Sequence, residues 1–380
     1  MDIFKLVREF LVGQHSVEKI ENELRQLDDA EVRIALLGRS GTGKSSLINA
    51  LVGERVAASG AVETTLHAQE FNVNGLVFVD LPGGGTSRFP FEEYLDTVKV
   101  SRYDAFVLVV SKRILESDLD LFKELRERTG KKIHIVRTMV DQDIDNSLHD
   151  GLSPDLVIPR IRQDLESKFG LTNHCWLVSS RHPEKFDFAA FCDSLMEDFD
   201  DARRDKFIFA AQAYTQEQLS RKREVAERHV LLFAGLSALN GFNPIPAADV
   251  VTDVAILVKM NQWILRCYKL DEEHMHKQLK RTPLSASQLT LVNRLIAYGT
   301  REFIISMIKR QATRMTGKEL AKWVPVVGQM ASAGMGFALT RWMGQDLVDQ
   351  CEKATLSMQN DPAAESKVTH RGKMKQKTFV

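Results

Sequence analysis

Through its first 190 residues the chain alternates two kinds of apolar pattern. Short runs rich in β-branched and aromatic residues predict strands: "VRIALL" (32–37), "LHAQEFNV" (66–73), "LVFVDLP" (76–82), "AFVLVV" (105–110), "KIHIVRT" (132–138) and "CWLVSS" (175–180). Between several of them the apolar positions recur at helical spacing, as in "DLDLFKELRERTG" (118–130). Asn74 and Gly75 separate the second and third runs and predict a tight hairpin turn. Strand–helix alternation with one inserted hairpin reads as an α/β domain. Ahead of it, Ile3, Phe4, Val7, Phe10 and Leu11, continued by Val17, Ile20, Leu24 and Leu27, lay an apolar stripe along a helix over 3–29.

After about residue 190 no strand pattern returns. Residues 194–237 are long, charged and helical in period, "NGFNPIPAADV" (240–250) is a sharp break, and 251–345 again read as helices broken near Pro283 and Pro325. The expected organisation is therefore N-terminal helices over 1–30 that pack with a later helical domain, a nucleotide-type α/β domain over 31–193, the helical domain over 194–350, and a basic tail over 351–380. With 380 residues the chain is long enough for these two domains.

Composition narrows the function classes only a little. Lys plus Arg and Asp plus Glu stand at 51 each, so bulk charge offers no argument for nucleic acid. Cys175, Cys192, Cys267 and Cys351 are scattered without a CxxC pair, which points to a reducing compartment. The start "MDIFKLVREF" lacks a signal-peptide layout, and Asp2 rules out myristoylation of this chain. No clean run of 18 or more apolar residues is present. The expectation is a cytoplasmic protein.

The chemistry begins directly after the first strand. Gly38, Arg39, Ser40, Gly41, Thr42, Gly43, Lys44, Ser45 and Ser46 fit the GxxxxGK(S/T) phosphate loop and lead into a helix. Glycines let the backbone wrap phosphate with its N–H groups, and the helix N-terminus adds a favourable dipole. Lys44 can bridge the terminal phosphates, and the Ser45 hydroxyl can ligate Mg2+. In "VDLPGGG" (79–85), Asp80 ends a strand and can hold a magnesium-bound water, while the Gly83 N–H can face a γ-phosphate. Between these elements Thr64 and Thr65 are both candidates for a magnesium-binding switch threonine.

The base is read later. An aspartate after a late strand can accept both guanine N1–H and the 2-amino group, a donor pair that adenine lacks. In "TMVD" Thr138 and Asp141 hold the expected places, and Met139 stands where a lysine is usual. Asp143 and Asp145 follow closely enough to leave the register open. Ser179, in "VSS" (178–180), would present backbone groups to the base oxygen. GTP and GDP are thus expected over ATP.

These pieces together resemble the immunity-related GTPases, the interferon-inducible group of p47 type. The resemblance rests on "GRSGTGKSSLINAL", "GAVETT", "VDLPG", "YDAFVLVVS", "KKIHIVRTMVD" and "NPIPAADVVTDVAIL", and runs to about residue 345. It implies a Ras-like domain joined to a helical domain built from both chain ends, in a dynamin-like architecture. It implies slow GTP hydrolysis, homodimers or oligomers formed through the GTPase domain when GTP-bound, contacts with related GTPases, and reversible association with endomembranes or pathogen vacuoles. By position it assigns Thr65 to the switch threonine and Glu63 to a glutamate implicated in catalysis across the dimer. Retention of Lys44 makes the methionine-bearing regulatory subgroup a poor match.

No glutamine follows "DLPG", where Gly84 stands, so a Ras-like cis glutamine is not expected to orient water. Glu63 is a candidate to activate water, and otherwise faces solvent. Arg39 is a candidate phosphate contact in cis or in trans, and otherwise an exposed side chain. A nucleotide-gated interaction protein with negligible turnover is the competing class, and a ribosome-associated GTPase is disfavoured for want of a basic RNA-binding module. The stretch 324–344, "VPVVGQMASAGMGFALTRWMG", reads as a packed core helix or as a segment that lies on a bilayer after GTP-driven rearrangement.

Overall fold

The computed structural model describes residues 17–57, 69–81, 100–170, 174–240, 246–280, 284–314 and 328–359. They fall into two compact units, one within 25–219 and one within 1–24 together with 220–380.

Among the described residues the first unit is built on six strands: β1 (Val32–Leu37), β2 (Gln69–Val73), β3 (Leu76–Asp80), β4 (Ala105–Val110), β5 (Ile133–Arg137) and β6 (Cys175–Leu177). Their order in the sheet is β2-β3-β1-β4-β5-β6. Only β2 runs antiparallel, joined to β3 through Asn74 and Gly75, whose positive φ values of 53° and 85° are those of the predicted hairpin turn. β1 pairs in parallel with both β3 and β4. The chain leaves β1 toward one side of the sheet and returns on its other side. That crossing-over opens a crevice at the carboxyl ends of the strands, the usual ligand position in such sheets.

Among the described residues six helices accompany the sheet: α2 (Lys44–Val52), α3 (Glu116–Thr129), α4 (Val140–His149), α5 (Pro154–Phe169), α6 (Phe188–Met196) and α7 (Asp201–Ala210), following α1 (Val17–Asp29), which spans the boundary between units. One sheet face contributes Ala35, Val79, Leu108 and Ile135 to an apolar core closed by Leu121, Phe122 and Leu125 of α3 and Leu165 and Phe169 of α5. α7 packs against β1 and β3. The Lys206 ammonium of α7 caps the end of α1, donating to the Leu27 and Asp28 carbonyls at 3.1 and 2.7 Å. Tyr214 donates to the Ala50 carbonyl of α2 at 2.7 Å. These contacts carry the α/β unit to residue 219, past the boundary at 193 that the end of the strand pattern suggested.

The second unit contains α8 (Gln216–Asn240), which crosses the boundary, α9 (Pro246–Cys267), α10 (Glu272–Leu279), α11 (Ala286–Ala297), α12 (Arg301–Arg314) and α13 (Gly328–Gln359). α13 packs against α9 and α11, and α9 also packs against α12. Small residues let α13 approach α8 closely: a side chain at Gly344 would come within 2.6 Å of Val230. Phe337, Ala234 and Ala238 form a small apolar cluster there. The described part of 324–344 is thus a packed helix, with Trp342 left 42% exposed. Helix α13 continues through Gln359 with Cys351 and Ala354 buried, so the expected tail does not begin at 351. Among the described residues no helix is long and apolar enough to cross a membrane, and no group of three or more His, Cys, Asp or Glu side chains is placed to hold a metal ion.

Candidate active site: a phosphate loop facing a base-reading turn

β1 is apolar over Ile34–Leu37 because both sheet faces bury it, and it ends at Gly38. Gly38 has φ +132°, and a Cβ there would lie 2.2 Å from the Val109 carbonyl oxygen of β4. Glycine is therefore required for the loop to leave the sheet. The loop re-enters regular structure at Gly43, φ +93°, whose added Cβ would meet the Thr138 hydroxyl at 3.3 Å. α2 then starts at Lys44, so its unpaired N–H groups and positive dipole end face the loop.

Lys44 turns back over the loop. Its ammonium donates to the carbonyls of Gly38 at 2.7 Å and Arg39 at 3.1 Å, and lies 3.6 Å from Asp80 Oδ1. Both side chains are only 10% exposed. Burial pushes the Lys44 ammonium below lysine's ordinary range, opposed by the Asp80 charge. Burial likewise pushes the Asp80 carboxyl upward, opposed by Lys44. Asp80 Oδ1 is buried without a hydrogen-bond partner among the described residues. A desolvated cation and an unsatisfied carboxylate oxygen beneath a backbone cradle fit a phosphate carrying a divalent cation.

The remaining loop residues divide. Thr42 is buried and donates to the Arg39 carbonyl at 2.9 Å, holding the loop's curvature. Ser45 and Ser46 are half-buried at the start of α2, and Ser40 and Gly41 are exposed. The Arg39 guanidinium is partly exposed and engaged on one side. Its Nε lies 3.2 Å from Asp118 Oδ1 and its Nη2 donates to the Arg113 carbonyl. Asp118, 2% exposed, accepts the Leu115 N–H at 2.9 Å with its other oxygen.

The facing side of this corner is assembled by the ends of β5 and β6. Thr138 is buried; its N–H donates to the Val110 carbonyl at 3.0 Å and its hydroxyl to the Thr42 carbonyl of the phosphate loop. Met139 has φ 61°, a left-handed backbone that turns the chain into α4. Its thioether methyl is 3.6 Å from where a Gly43 Cβ would stand, so it lies over the phosphate loop. The Val140 N–H donates to the Val178 carbonyl at 3.4 Å, joining this turn to the loop after β6. Ser179 is fully buried, and its hydroxyl accepts the N–H groups of Arg181 and His182 at 3.3 and 3.2 Å.

The three aspartates at the turn separate clearly. Asp143 is buried, takes a hydrogen bond from Arg137 and lies 3.8 Å from the Lys112 ammonium. Asp145 is exposed. Asp141 is half-buried, and no hydrogen bond or ion pair to another described residue engages its side chain. The structure thus brings the phosphate loop, Asp80, Thr138, Met139 and the Val178–Ser179 loop together. Glu63, Thr64, Thr65 and Gly83 lie outside the described residues. Sequence reading missed Asp118 and Arg137, and weighed Asp143 only as an alternative base reader; the one signal for Arg137 was an arginine inside the apolar run "IHIVR".

The family described as interferon-inducible GTPase (IIGP) matches residues 2–303. Interferon-inducible GTPase 5 of Rattus norvegicus is 26% identical over 354 residues, spanning 88% of this chain and 76% of that protein. Interferon-gamma-inducible GTPase 10 of Mus musculus is 29% identical over 295 residues, spanning 73% and 69%. Among solved structures, the G domain of the T. maritima FeoB iron transporter aligns at 23% identity and a TM-score of 0.31, covering 44% of this chain and 98% of that one. The match across both units identifies the chain as a member of the interferon-inducible GTPase family, a GTP-hydrolysing enzyme of the phosphate-loop class.

Proposed function

We propose that this GTPase binds GTP with magnesium at the corner described above, and that GTP-loaded copies associate through this unit on a membrane surface in cell-autonomous defence. The observation that carries the reading is the desolvated Lys44–Asp80 pair with its unsatisfied carboxylate oxygen. Lys44 swings from the Gly38 and Arg39 carbonyls to the terminal phosphates. Ser45 and Thr65 would ligate magnesium directly and Asp80 would hold one of its waters; the ion would supply charge neutralisation at the β and γ phosphates. The Gly83 N–H faces the γ-phosphate, Asp141 accepts the two guanine donors, and backbone groups at Ser179 meet the base oxygen.

Hydrolysis then rests on positioning and on electrostatic stabilisation, since Gly84 has no side chain to orient water. Glu63 supplies the missing orienting group once a second copy closes over the nucleotide. Related GTPases are possible alternative partners at the same face. The helical unit drawn from both chain ends supports a dynamin-like arrangement. In this reading membrane association is peripheral and reversible, from a cytoplasmic pool.

Phosphate release measured across a range of protein concentrations, with liposome flotation run alongside, tests this. Turnover per molecule is expected to rise with concentration, and flotation to be greater with a non-hydrolysable GTP analogue than with GDP. A concentration-independent rate removes the assembly step, and equal flotation in the two states removes the membrane step.

A further inference from the structure

We propose that the buried pair Arg137–Asp143 is the positioning element that sets Asp141 against guanine; this rests on the base-reading role of Asp141 proposed above. Arg137 is the last residue of β5, on the strand face that carries Ile133 and Ile135 into the apolar core. Its side chain is 5% exposed in a place where an apolar residue would serve the core better. Nη2 donates to Asp143, whereas Nη1 is buried without a hydrogen-bond partner among the described residues. Retaining a desolvated, incompletely satisfied cation here requires a reason beyond packing.

The local geometry supplies that reason. Asp143 is tied twice: its carboxylate to Arg137, and its N–H to the Met139 carbonyl at 3.3 Å. Lys112 flanks its other oxygen at 3.8 Å. Residues two apart on an α-helix point roughly 200° apart at 3.6 residues per turn. Pinning Asp143 against the sheet therefore turns Asp141 to the opposite side of the first turn of α4, where its carboxylate keeps no protein partner. Ahead of that turn, Met139 holds a left-handed φ of 61°, which a non-glycine residue keeps only when its surroundings over-determine it. Thr138 clamps the turn before Met139, through Val110 and Thr42, and Asp143 clamps it after. The same carboxylate that cannot read the base thus orients the one that can.

The test compares affinities of the full chain for GDP and for inosine diphosphate, which lacks the 2-amino group. A carboxylate engaging both guanine donors should favour GDP by about tenfold or more in the unaltered protein. The main variant is Arg137→Met combined with Asp143→Leu, which removes both charges and leaves neither buried alone. In it the GDP preference should fall below about threefold, with affinity for inosine diphosphate, which keeps the N1–H donor, falling less than that for GDP. Arg137→Lys, which keeps a cation near Asp143, should retain most of the preference. Should the double variant fail to fold, Asp143→Asn decides alone, with the same loss of preference expected. A full GDP preference in the folded double variant, or in Asp143→Asn, overturns the proposal, as does a loss of affinity equal for both nucleotides. Equal affinities in the unaltered protein would instead remove the base-reading role of Asp141, and this inference with it.

Discussion

Two corners of the molecule handle a partly buried cation in opposite ways. In the helical unit, Arg223 of α8 meets three carboxylates: Glu227 at 2.8 Å on its own helix, and Asp349 and Glu352 of α13, each at 2.5 Å. Hydrogen bonding to Asp349 raises its pKa further above the already high arginine range, with burial opposing. At the phosphate corner, Lys44 reaches only carbonyls, and its carboxylate stands just beyond hydrogen-bond distance. Burial there drives both groups toward neutrality. Burial alone does not mark a working site. Lys222 of α8 is more deeply buried, and its ammonium donates to the Cys267 carbonyl at the end of α9, at 2.8 Å. What distinguishes Lys44 is a charge partner held near but unsatisfied. A saturated pair holds a fold together, whereas an unsaturated one can exchange its contacts for a ligand's.

The sharpest break of this comparison is Lys44→Ala. It should weaken GDP and GTP binding by at least about 100-fold, the scale of a lost charge-assisted contact to phosphate. The same change should abolish nucleotide-induced thermal stabilisation, with little change in the melting temperature of the nucleotide-free protein. Fluorescent-nucleotide titration and calorimetric melting check both halves, and unchanged affinity would refute the assignment. Next in size is Asp141→Asn. It should weaken GDP by roughly 10- to 100-fold and leave ADP unmoved, because only guanine offers the donor pair a carboxylate reads. An equal loss for both nucleotides would mean that the residue supports the fold, not the base.

The phosphate corner was legible in the sequence because its determinants are local. Glycine spacing, the lysine and the helix start all lie in one stretch, 38–46, after an apolar strand. The hairpin at Asn74 and Gly75 was legible for the same reason. What long-range packing decides was not. The guanidinium of Arg39 is taken by Asp118, 79 positions away, so a loop arginine that looked available for phosphate is engaged elsewhere. The difference in partners among Asp141, Asp143 and Asp145 depends on Arg137, whose side chain could be located only once β5 and α4 were packed. The unit boundary slipped for a related reason. Helical periodicity shows that α6 and α7 have an apolar stripe, and is silent on whether a sheet or a bundle covers it. Phe188, Phe191 and Phe207 are fully or almost fully buried within the α/β unit.

A smaller effect is expected at the saturated pair. Arg223→Met leaves the stem's packing but removes three contacts to carboxylates that are themselves partly solvated. With a third of the side chain exposed, the expected loss is about 1–2 kcal/mol, discounted from the value of fully buried charged hydrogen bonds. The urea midpoint should fall accordingly, with GDP affinity unchanged. A drop in GDP affinity larger than about threefold would show that the two corners are not separate in function.

The finest distinction is in pH. Lys44 is pushed below lysine's ordinary 10.5, so between its lowered value and 10.5 the unfolded chain holds a proton that the folded, nucleotide-free chain has begun to release. Stability rises with pH wherever the unfolded state binds more protons, so Lys44 should contribute a rising slope in that alkaline window. Asp80 does the mirror image. Its carboxyl is pushed above 3.8, so below its raised value the folded chain holds the extra proton and gains stability as pH falls toward 3.8. The pair is therefore least favourable near neutrality, where both groups carry charge and where a ligand would relieve them. Lys44→Met isolates the alkaline arm, because it deletes the lysine and alters Asp80 only on the acid side. The stability difference, unaltered protein minus variant, should climb as pH rises toward 10.5, by up to about 1.4 kcal/mol for each pKa unit of depression. Chemical denaturation at a series of alkaline pH values reads this directly. Parallel curves for the two proteins would mean that the Lys44 ammonium is not under the strain that burial imposes, and the contrast with Arg223 would lose its physical basis.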